Sequence, residues 1–425
     1  MTISSVKGFR DILPDEAARR RRIVGEAIRL LHNYGYEEIE LPVLERLELF
    51  SRSVGQTSDI VEKEMYAFED RDGATVALRP EGTASVARAY IDNGLARSQP
   101  IARLYYVGPM FRRERPQKGR FRQFSQVGAE MLGRDDAEAD AETLCLVADL
   151  CFAVGVQGAR IEINSLGDET CRPAYREALA AFGRAHVSEL CAECRARLER
   201  NPLRLLDCKN ERCRAVTADA PMMLDYLCDP CRAHHERVLA LIRAAGVETV
   251  ANPRMVRGLD YYCRTAFEIL ASGLGAQDAI GGGGRYDGLV AALGGPNVPG
   301  IGFAFGIDRL DLASSAPVAA LPPAFLVVPI GAAAAAPALG IARRLRNAGM
   351  TVDLASSDRR LKAALKHADK TAVRYVVIVG DDELASGRAT VRDMAAHADY
   401  PGCFEIGAPA KEIVARIERT AASET

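Results

Sequence analysis

The segment Phe111–Phe124 reads FRRERPQKGRFRQF and holds six arginine or lysine residues, three phenylalanines and a single glutamate. It joins two runs with strand-like patterning, ARLYYVGPMFRRE (102–114) and FRQFSQVGAEML (121–132), which predict an antiparallel hairpin with the basic loop RPQKGR at its tip. Guanidinium groups bind phosphate oxygens in pairs, and aromatic rings stack on bases. The hairpin therefore indicates a nucleotide or nucleic-acid site, with a solvated surface hairpin as the alternative.

The composition of the whole chain restricts how such a site can work. The 425 residues carry a formal net charge of −2, with 48% hydrophobic and 26% charged residues, the balance of a soluble protein of two or three domains. A near-zero charge excludes a protein that holds nucleic acid by bulk charge, so a polyanion must meet a local patch. The N-terminal segment has no apolar run, and no stretch is long enough to span a membrane. We expect a cytoplasmic protein.

Hydrophobic periodicity divides the chain into a strand-rich first part and an alternating second part. In the first part the pattern predicts helices over 14–34 and 83–94, and charged helical segments between about 168 and 246. It also predicts strands over 36–45, 254–270, 279–290 and 301–310, and a further strand that begins at residue 75. After a linker-like stretch at 311–323, alternating strands and helices predict a small α/β domain with a mostly parallel sheet. We expect a first domain over 1–320, with a helical insertion at about 168–246, and a second over 324–425.

Several short motifs of the first part could complete a ligand site. RPEGT (79–83) and GAE (128–130) supply carboxylates near the arginine cluster, where they could bind an ammonium group or Mg²⁺. GGGGRYDGL (281–289) allows close backbone approach to a ligand, or forms a turn. It matches neither the dinucleotide fingerprint nor the Walker A loop. GIGFAFGIDRL (300–310) delivers another arginine, Arg309, after a glycine-rich strand.

The insertion is rich in cysteine. Seven of the eleven cysteines fall within it, and CAEC (191–194) and CDPC (228–231) are C-x₂-C pairs. That spacing lets two pairs bind one tetrahedral zinc ion, so Cys191, Cys194, Cys228 and Cys231 are candidate ligands. Cys208 and Cys213 offer competing ligands. The alternative is a set of reduced thiols packed among small helices.

Taken together, these motifs resemble those of the histidyl-tRNA synthetases. GPMFRRERPQKGRFRQFSQVGAE (108–130) looks like the second signature motif of class II aminoacyl-tRNA synthetases, GIGFAFGIDRL like the third, and LPVLE (41–45) like the end of the first. RGLDYY (257–262) and GGGGRYDGL resemble the histidine-specific motifs. The likeness runs from KGFRDILP near the start to VDLASSDRRLKAALKHADK in the second domain.

The resemblance implies a fold and a reaction. The fold would be an α+β class II catalytic domain, an antiparallel sheet flanked by helices, with a helical insertion and a C-terminal α/β anticodon-binding domain. The enzyme would be a histidine–tRNA ligase that uses ATP with Mg²⁺ to form histidyl-adenylate and transfers histidine to the 3′ end of its tRNA. The first class II motif usually forms a dimer interface, so a homodimer is implied, with no membrane or DNA partner.

The resemblance also implies roles for individual residues. ATP would be bound by Arg112, Glu114, Arg120, Phe124 and Arg309, with Arg112 on the α-phosphate and Phe124 and Arg309 around the adenine. Histidine would be bound by Glu81, Thr83, Gln126, Glu130, Arg257, Tyr261, Tyr262 and Tyr286, with Glu130 and Tyr262 on the imidazole nitrogens. Arg112 and Arg257 would be the catalytic pair. Arg115 and Gln117 would contact the tRNA acceptor stem.

Two alternatives from other classes accompany this reading. One is a catalytically inactive regulatory subunit of histidine biosynthesis that resembles the synthetase. The other is an RNA-binding or scaffold protein with a vestigial site.

At Cys263 the sequence departs from the family, which more often carries Asn or Thr at this position. If Cys263 lines the histidine pocket beside Arg257, its pKa would be lowered and its thiol would be reactive. The alternative is an inert buried cysteine.

Overall fold

The computed structural model describes residues 3–53, 63–274, 278–316 and 325–422. The chain divides into two compact units, Met1–Val318 and Ala319–Thr425. No helix in the described ranges combines the length and the apolar character that crossing a membrane requires.

The first unit is built on an eight-stranded sheet with a small three-stranded sheet beside it. Its strands are β1 (Glu37–Glu38), β2 (Leu44–Arg46), β3 (Tyr66–Glu69), β4 (Thr75–Leu78), β5 (Ala102–Phe111), β6 (Gln123–Leu132), β7 (Arg160–Ser165), β8 (Thr249–Ala251), β9 (Cys263–Leu270), β10 (Ala279–Arg285) and β11 (Gly300–Gly306). The large sheet has the order β1-β5-β6-β11-β10-β9-β7-β8, and the small one β2-β4-β3. The strands from β5 to β7 in this order pair antiparallel, and only the edge strands β1 and β8 pair parallel.

The predicted basic hairpin is confirmed as the pair β5–β6. Ten residue pairs are in register, from Ala102 opposite Leu132 to Phe111 opposite Gln123. The ladder continues one step further, because the Arg112 amide donates to the Arg122 carbonyl. The hairpin therefore holds its arginines beyond the ends of two interior strands of the sheet.

Helices cover the sheet and form the insertion. They are α1 (Pro14–Asn33), α2 (Leu47–Ser53), α3 (Thr83–Asp92), α4 (Leu95–Ser98), α5 (Ala137–Ala153), α6 (Arg172–Ala185), α7 (Ala192–Arg200), α8 (Glu211–Val216), α9 (Asp229–Ala244), α10 (Leu289–Ala292) and α11 (Ile307–Ala313), with short 3₁₀ turns at Pro202–Leu205, Thr217–Asp219 and Met223–Tyr226. α1 begins with Pro14 at a position where its missing amide costs nothing. The main core lies between the sheet and α1, α5 and α9.

The second unit has a five-stranded sheet of order β13-β12-β14-β15-β16. Its strands are β12 (Phe325–Pro329), β13 (Val352–Leu354), β14 (Tyr375–Val379), β15 (Arg388–Asp393) and β16 (Ala398–Glu405). Its helices are α12 (Ala335–Asn347), α13 (Leu361–Lys370), α14 (Asp381–Ser386) and α15 (Ala410–Ala422), with a 3₁₀ turn at Ala332–Ala334. The first three strands pair parallel as predicted, but β15 and β16 add an antiparallel hairpin that the sequence analysis missed, so the sheet is mixed.

Five predicted segments need correction. The strand over 36–45 is broken into β1 and β2, because Pro42 lies between them and cannot donate a ladder hydrogen bond. The strand over 254–270 begins only at Cys263, and that over 279–290 ends at Arg285. The strand over 301–310 ends at Gly306, so that Arg309 lies on α11. The linker at 311–323 overlaps the end of α11, and its residues from 317 lie outside the described ranges.

Candidate active site

The predicted ligand residues gather at one concave pocket on the large sheet. Eleven of the thirteen assigned to ATP or histidine line it: Glu81, Thr83, Arg112, Glu114, Arg120, Phe124, Gln126, Arg257, Tyr261, Tyr262 and Arg309. They come from α3, the β5–β6 hairpin, the segment before β9, and α11. Sequence positions more than two hundred residues apart thus meet in one site.

The other two residues, Glu130 and Tyr286, lie beneath the pocket. Glu130 is 1% exposed, and its carboxylate accepts hydrogen bonds from the Thr83 hydroxyl at 2.6 Å and from the Tyr286 hydroxyl. Burial raises the pKa of Glu130 to about 8, although the bonds from Thr83 and Tyr286 oppose the shift. The site therefore holds a proton-accepting group that titrates near neutral pH below a pocket of tyrosines.

Glycine at position 302 is what makes room for this carboxyl group. Gly302 on β11 lies directly opposite Glu130 on β6. A Cβ atom at 302 would lie 1.8 Å from Glu130 Oε2, a distance at which the side chain must move. The missing side chain at Gly302 thus leaves the space that the Glu130 carboxyl group occupies.

A second carboxyl group, Glu81, is fixed at the start of α3. Its oxygens accept from the backbone amides of Thr83 at 2.6 Å and Ala84 at 3.0 Å, so it closes the helix N-terminus. Burial raises its pKa, while these amide bonds oppose the shift. Beside it, the buried Gln126 amide oxygen has no hydrogen-bond partner among the described residues. An ammonium group entering the pocket would supply both the charge and the missing donor.

The opposite side of the pocket is basic. The Arg112 Nε donates to the Pro80 carbonyl at 2.9 Å, and its guanidinium lies 5.4 Å from the Phe124 ring centroid. Arg120 contacts Glu114 at 3.1 Å. Burial and the nearby Arg120 lower the pKa of Arg309. An anion bound beside Arg309 would offset this cost.

Arg257 approaches the centre of the pocket from an irregular segment before β9. Its guanidinium lies 5.3 Å from the Tyr262 ring centroid and 3.5 Å from Glu268. A Cβ atom at position 282 would lie 2.7 Å from its Nη1, so Gly282 on β10 leaves the space that Arg257 occupies. Glu268 lines the same pocket. The sequence analysis missed it, because an alternating strand position is its only signal.

Asp308 is a further residue without a predicted role. It is 5% exposed and accepts from Arg20 at 2.6 Å, from Arg10 at 2.9 Å and from the Ser125 amide at 3.3 Å. These contacts tie α1 and β6 to the start of α11, one residue before Arg309. Asp308 therefore fixes the start of the helix that carries Arg309.

Arg115 and Gln117 lie at the exposed tip of the hairpin, outside this pocket. The backbones of Gln117 and Arg120 exchange hydrogen bonds at 3.1 and 2.9 Å and so close a tight turn. Gly119 occupies that turn with a φ of +72°, which favours glycine. The tip is a defined turn that presents side chains outward.

The prediction that the two C-x₂-C pairs share one metal is wrong. Cys191 and Cys194 cluster with Cys208 and Cys213, whereas Cys228 and Cys231 cluster with Cys171 and Asp168. The error came from pairing the two motifs by spacing alone: each motif begins a different helix, α7 or α9, and each meets ligands from another part of the insertion.

The structure distinguishes the two alternatives for Cys263. It lines a separate cleft with Asp168 and Arg172 instead of the histidine pocket, and the Asp287 amide donates to its sulfur at 3.4 Å. Burial raises the pKa of Cys263 to about 12, the opposite of the lowered value that reactivity requires. The structure favours the inert alternative.

Comparison with known proteins agrees with this geometry. The family model described as "Histidyl-tRNA synthetase" matches residues 8–310, and that of an "Anticodon binding domain" matches residues 324–405. The histidine–tRNA ligase of Geobacter metallireducens is 48% identical over 92% of this chain and 95% of its own length. That of Geobacter sulfurreducens is 45% identical over 98% of this chain and 100% of its own length.

A solved structure supports the same relationship. The apo histidyl-tRNA synthetase of S. aureus superposes with a TM-score of 0.78 at 33% identity, over 94% of this chain and 97% of that one. Its match extends over both units, as do the two family models. The chain therefore belongs to the histidyl-tRNA synthetase family, class II enzymes with a C-terminal anticodon-binding domain, and its activity is that of a histidine–tRNA ligase.

Proposed function

We propose that the pocket forms histidyl-adenylate, with one set of residues binding histidine and another binding ATP. The observation that carries the proposal is Glu130, a fully buried carboxyl group bonded to Thr83 and Tyr286 below the tyrosine-lined floor. Imidazole has two edge nitrogens, and a carboxyl group together with the phenol of Tyr262 can pair both. A site built this way discriminates strongly against ligands that lack those groups, because its own buried polar groups would stay unpaired.

The α-amino group of histidine would be bound by Glu81, Thr83 and Gln126. Glu81 carries the charge, and the unpartnered Gln126 oxygen is a ready acceptor. Tyr261 and Tyr286 would act mainly by packing, since the Tyr261 ring lies 4.7 Å from Tyr262 and 5.8 Å from Tyr286. This arrangement fixes both ends of the amino acid and leaves its carboxylate directed at the basic side.

ATP would occupy the basic side. Phe124 and Arg309 would sandwich the adenine, Glu114 would contact it, and Arg120 would bind the distal phosphates. Support comes from the lowered pKa of Arg309 beside Arg120, because two cations held together favour an anionic ligand. Arg112 would bind the α-phosphate with the guanidinium nitrogens that its bond to Pro80 leaves available.

The chemical step would be an in-line displacement. A histidine carboxylate oxygen forms a bond to the α-phosphorus, the bond from that phosphorus to the bridging oxygen of the β-phosphate breaks, and pyrophosphate leaves with the electron pair. Arg112 and Arg257 would stabilise the negative charge that develops on the phosphorus oxygens. Positioning and fixed positive charge supply most of the acceleration in such reactions.

Magnesium would accompany ATP. Glu268 lines the pocket beside Arg257, and carboxylate oxygens are the ligands that Mg²⁺ prefers. Its carboxylate fits the ion, with the phosphate oxygens of ATP as further ligands. When bound, Mg²⁺ would neutralise part of the phosphate charge, while Arg257 stays oriented by Glu268 and Tyr262.

Histidine tRNA would place its acceptor stem at the hairpin tip, where Arg115 and Gln117 would contact the first base pairs. Both side chains are exposed, and the closed turn around Gly119 presents them outward. The unit over 324–425 would bind the anticodon. Because aminoacyl-tRNA is consumed by ribosomes, we expect the enzyme in the cytoplasm.

A homodimer is the proposed assembly. Val43, Leu44 and Phe68, on or beside the three-stranded sheet at the end of the first class II motif, are 38%, 40% and 50% exposed. Such an apolar group favours burial against a second copy. Sedimentation equilibrium should give twice the chain mass, and Leu44→Asp with Phe68→Asp should shift it toward the monomer. A monomeric wild type would refute the assembly.

The regulatory-subunit alternative would require an inactive pocket. Here the arginines proposed for the phosphates and the carboxyl groups proposed for histidine line or underlie one cavity, with the glycines that make room for them. We therefore favour the catalytic reading, and a functional assay separates the two.

The experiment is amino-acid-dependent exchange between ATP and labelled pyrophosphate, run without tRNA and separately with all twenty amino acids. We expect exchange with histidine alone. Arg112→Ala should lower it by about 10³-fold or more, since a group that stabilises transition-state charge is lost. The neighbouring Arg113→Ala, at an exposed side chain outside the pocket, is the matched control and should keep wild-type exchange. Histidine binding without any exchange would favour the regulatory subunit.

A further inference from the structure

The first cysteine cluster of the insertion has the geometry of a zinc site. The sulfur atoms of Cys191, Cys194, Cys208 and Cys213 all lie within 4.8 Å of one another, and those of Cys191 and Cys208 are 3.9 Å apart. Zinc–sulfur bonds of about 2.3 Å in a tetrahedron place sulfurs about 3.8 Å apart. A disulfide would need two sulfur atoms about 2.05 Å apart, and none of the four cysteines forms one.

The backbone around this cluster also suits thiolate sulfurs. The Cys191 amide donates to Cys213 Sγ at 3.2 Å, and the Cys194 amide donates to Cys191 Sγ at 3.4 Å. Amides directed at the sulfurs orient ligands and stabilise their negative charge. Cys194, Cys208 and Cys213 are buried, in a small core otherwise formed by leucines.

The second cluster repeats this geometry with one oxygen ligand. Asp168, Cys171, Cys228 and Cys231 offer ligand atoms that again lie within 4.8 Å of one another. The sulfurs of Cys171 and Cys228 are 3.7 Å apart, and the Asp168 amide donates to Cys171 Sγ at 3.2 Å. Cys228 is 3.8 Å from Asp168 Oδ1. Three sulfurs and a carboxylate form a tetrahedral donor set that zinc accepts.

We propose that the insertion binds two structural zinc ions, one through four cysteines and one through Asp168, Cys171, Cys228 and Cys231. Closed four-ligand sets of this composition select zinc over the hard cations Mg²⁺ and Ca²⁺, which take oxygen ligands. The insertion has only small hydrophobic clusters around Tyr175 and around Leu198, so a metal in each would supply the stability that its core lacks.

The two sites differ in what they hold in place. The four-cysteine site joins α7, α8 and the loop between them, all inside the insertion. The Asp168 site joins the starts of α6 and α9 to the turn that pairs with β9: the Arg264 amide donates to Gly167 at 2.8 Å, and the Leu166 amide donates to Arg264 at 2.7 Å. Arg172, next to Cys171, donates to the Tyr262 carbonyl. This second zinc therefore supports the residue proposed to read imidazole.

Metal analysis of the full-length protein, purified without chelators, tests the proposal directly. Mass spectrometry should find two zinc ions per chain. Cys213→Ser and Cys171→Ser should each leave one, and the control Cys145→Ser on α5, outside both clusters, should leave two. No zinc, or one ion in the wild type, would overturn the two-site proposal.

A second measurement needs no variant and so does not depend on a mutant folding. Residue-resolved alkylation of the wild type should show seven protected cysteines, Cys171, Cys191, Cys194, Cys208, Cys213, Cys228 and Cys231, that become reactive when a strong chelator is added. Replacement of the metal by Co²⁺ should give sulfur-to-cobalt charge-transfer absorption. If all seven cysteines stayed protected from alkylation after the chelator was added, they would be packed thiols, and the two zinc sites would be refuted.

The difference between the sites gives a functional readout. Cys171→Ser should raise the KM for histidine in pyrophosphate exchange by about tenfold, since Tyr262 loses part of its support. Cys213→Ser should leave that KM near the wild-type value. This arm rests on the proposed role of Tyr262, whereas zinc content and alkylation do not. Equal effects of the two variants on KM would overturn the supporting role of the second site.

Discussion

At the scale of single residues, Glu130 shows how a buried carboxyl group links recognition to stability. The pKa of Glu130 is raised by burial from 4.5 to about 8. Between these values the folded chain keeps a proton that the unfolded chain has released, so the free energy of unfolding must fall as pH rises. This loss is the cost of keeping a proton-accepting group in the pocket.

Glu130→Gln removes that titration. We expect its free energy of unfolding, relative to wild type, to rise steadily from about pH 5 to about pH 8 and to level off above. Urea unfolding at a series of pH values measures the difference. The same variant should lose most histidine-dependent exchange, because the imidazole partner is changed. Parallel stability curves for the two proteins would show that Glu130 does not titrate in this range.

Glycine 302 gives a second test at the same scale. In Gly302→Ala the new methyl group would lie 1.8 Å from Glu130 Oε2, so the carboxyl group must shift. We expect the KM for histidine to rise about 10²-fold, as a displacement of about 1 Å can cause, with little change in the KM for ATP. Gly288→Ala is the control, because no atom lies within 4 Å of its Cβ position and its φ is −88°. Equal effects of the two substitutions would refute the seating role of Gly302.

At the scale of elements, local patterns predicted the structure where the chain supplied its own signal. The β5–β6 hairpin was readable because two apolar runs flank a basic turn, and α1 because Ile23, Ala27 and Leu30 recur at helical spacing. Arg257 was predicted on a strand that begins only at Cys263, and its guanidinium fills the space above Gly282, a contact that no local pattern indicates. The hairpin β15–β16 gave a weak signal, because Ala389 and Val391 are the apolar inward residues of β15 and because Pro401 and Gly402 interrupt the pattern of β16. Contacts distant in sequence decided the first case, and an interrupted apolar pattern decided the second.

The junction of β10, α5 and α9 offers a test of how elements are held together. Arg285 and Asp140 form an ion pair with both side chains 0% exposed, and His234 on α9 contacts Asp140 at 2.8 Å. Breaking a buried pair by removing one charge costs about 3–5 kcal/mol, and Arg285 would keep only the partly exposed Asp287, 2.9 Å away, as a counter-charge. We therefore expect Asp140→Asn to lower the free energy of unfolding by about that amount, measured by urea unfolding.

A matched surface pair joins the same two helices. Arg237 on α9 contacts Glu138 on α5 at 2.8 Å, but the side chains are 58% and 48% exposed. Solvent screens such pairs, so Arg237→Ala should change stability little. Equal destabilisation by Asp140→Asn and Arg237→Ala would show that burial does not explain the contribution of the Arg285–Asp140 pair to stability.

At the scale of the whole molecule, the sequence motifs predicted the residues that line the pocket better than the residues that hold them in place. Eleven of the thirteen predicted ligand residues line one pocket, because the resemblance placed them by motif. The cysteine pairs had no such guide. Spacing could not tell which of several thiols meet, and a single carboxylate, Asp168, completed the second cluster without any motif. Residues that hold the site, such as Asp308 and Glu268, were likewise visible only in three dimensions.

The separation of the chain into two units leads to a last prediction. Every residue that lines the pocket belongs to the first unit, Met1–Val318, whereas the anticodon-binding family model matches residues 324–405. Adenylate formation needs only histidine and ATP, so a chain ending at residue 318 should keep pyrophosphate exchange within a few-fold of wild type. Its aminoacylation kcat/KM for tRNA should fall about 10²-fold, because contacts to the anticodon are lost. Circular dichroism and sedimentation would establish that the shortened chain is folded. If such a folded chain loses exchange, the second unit supports the active site and the two activities are not separable.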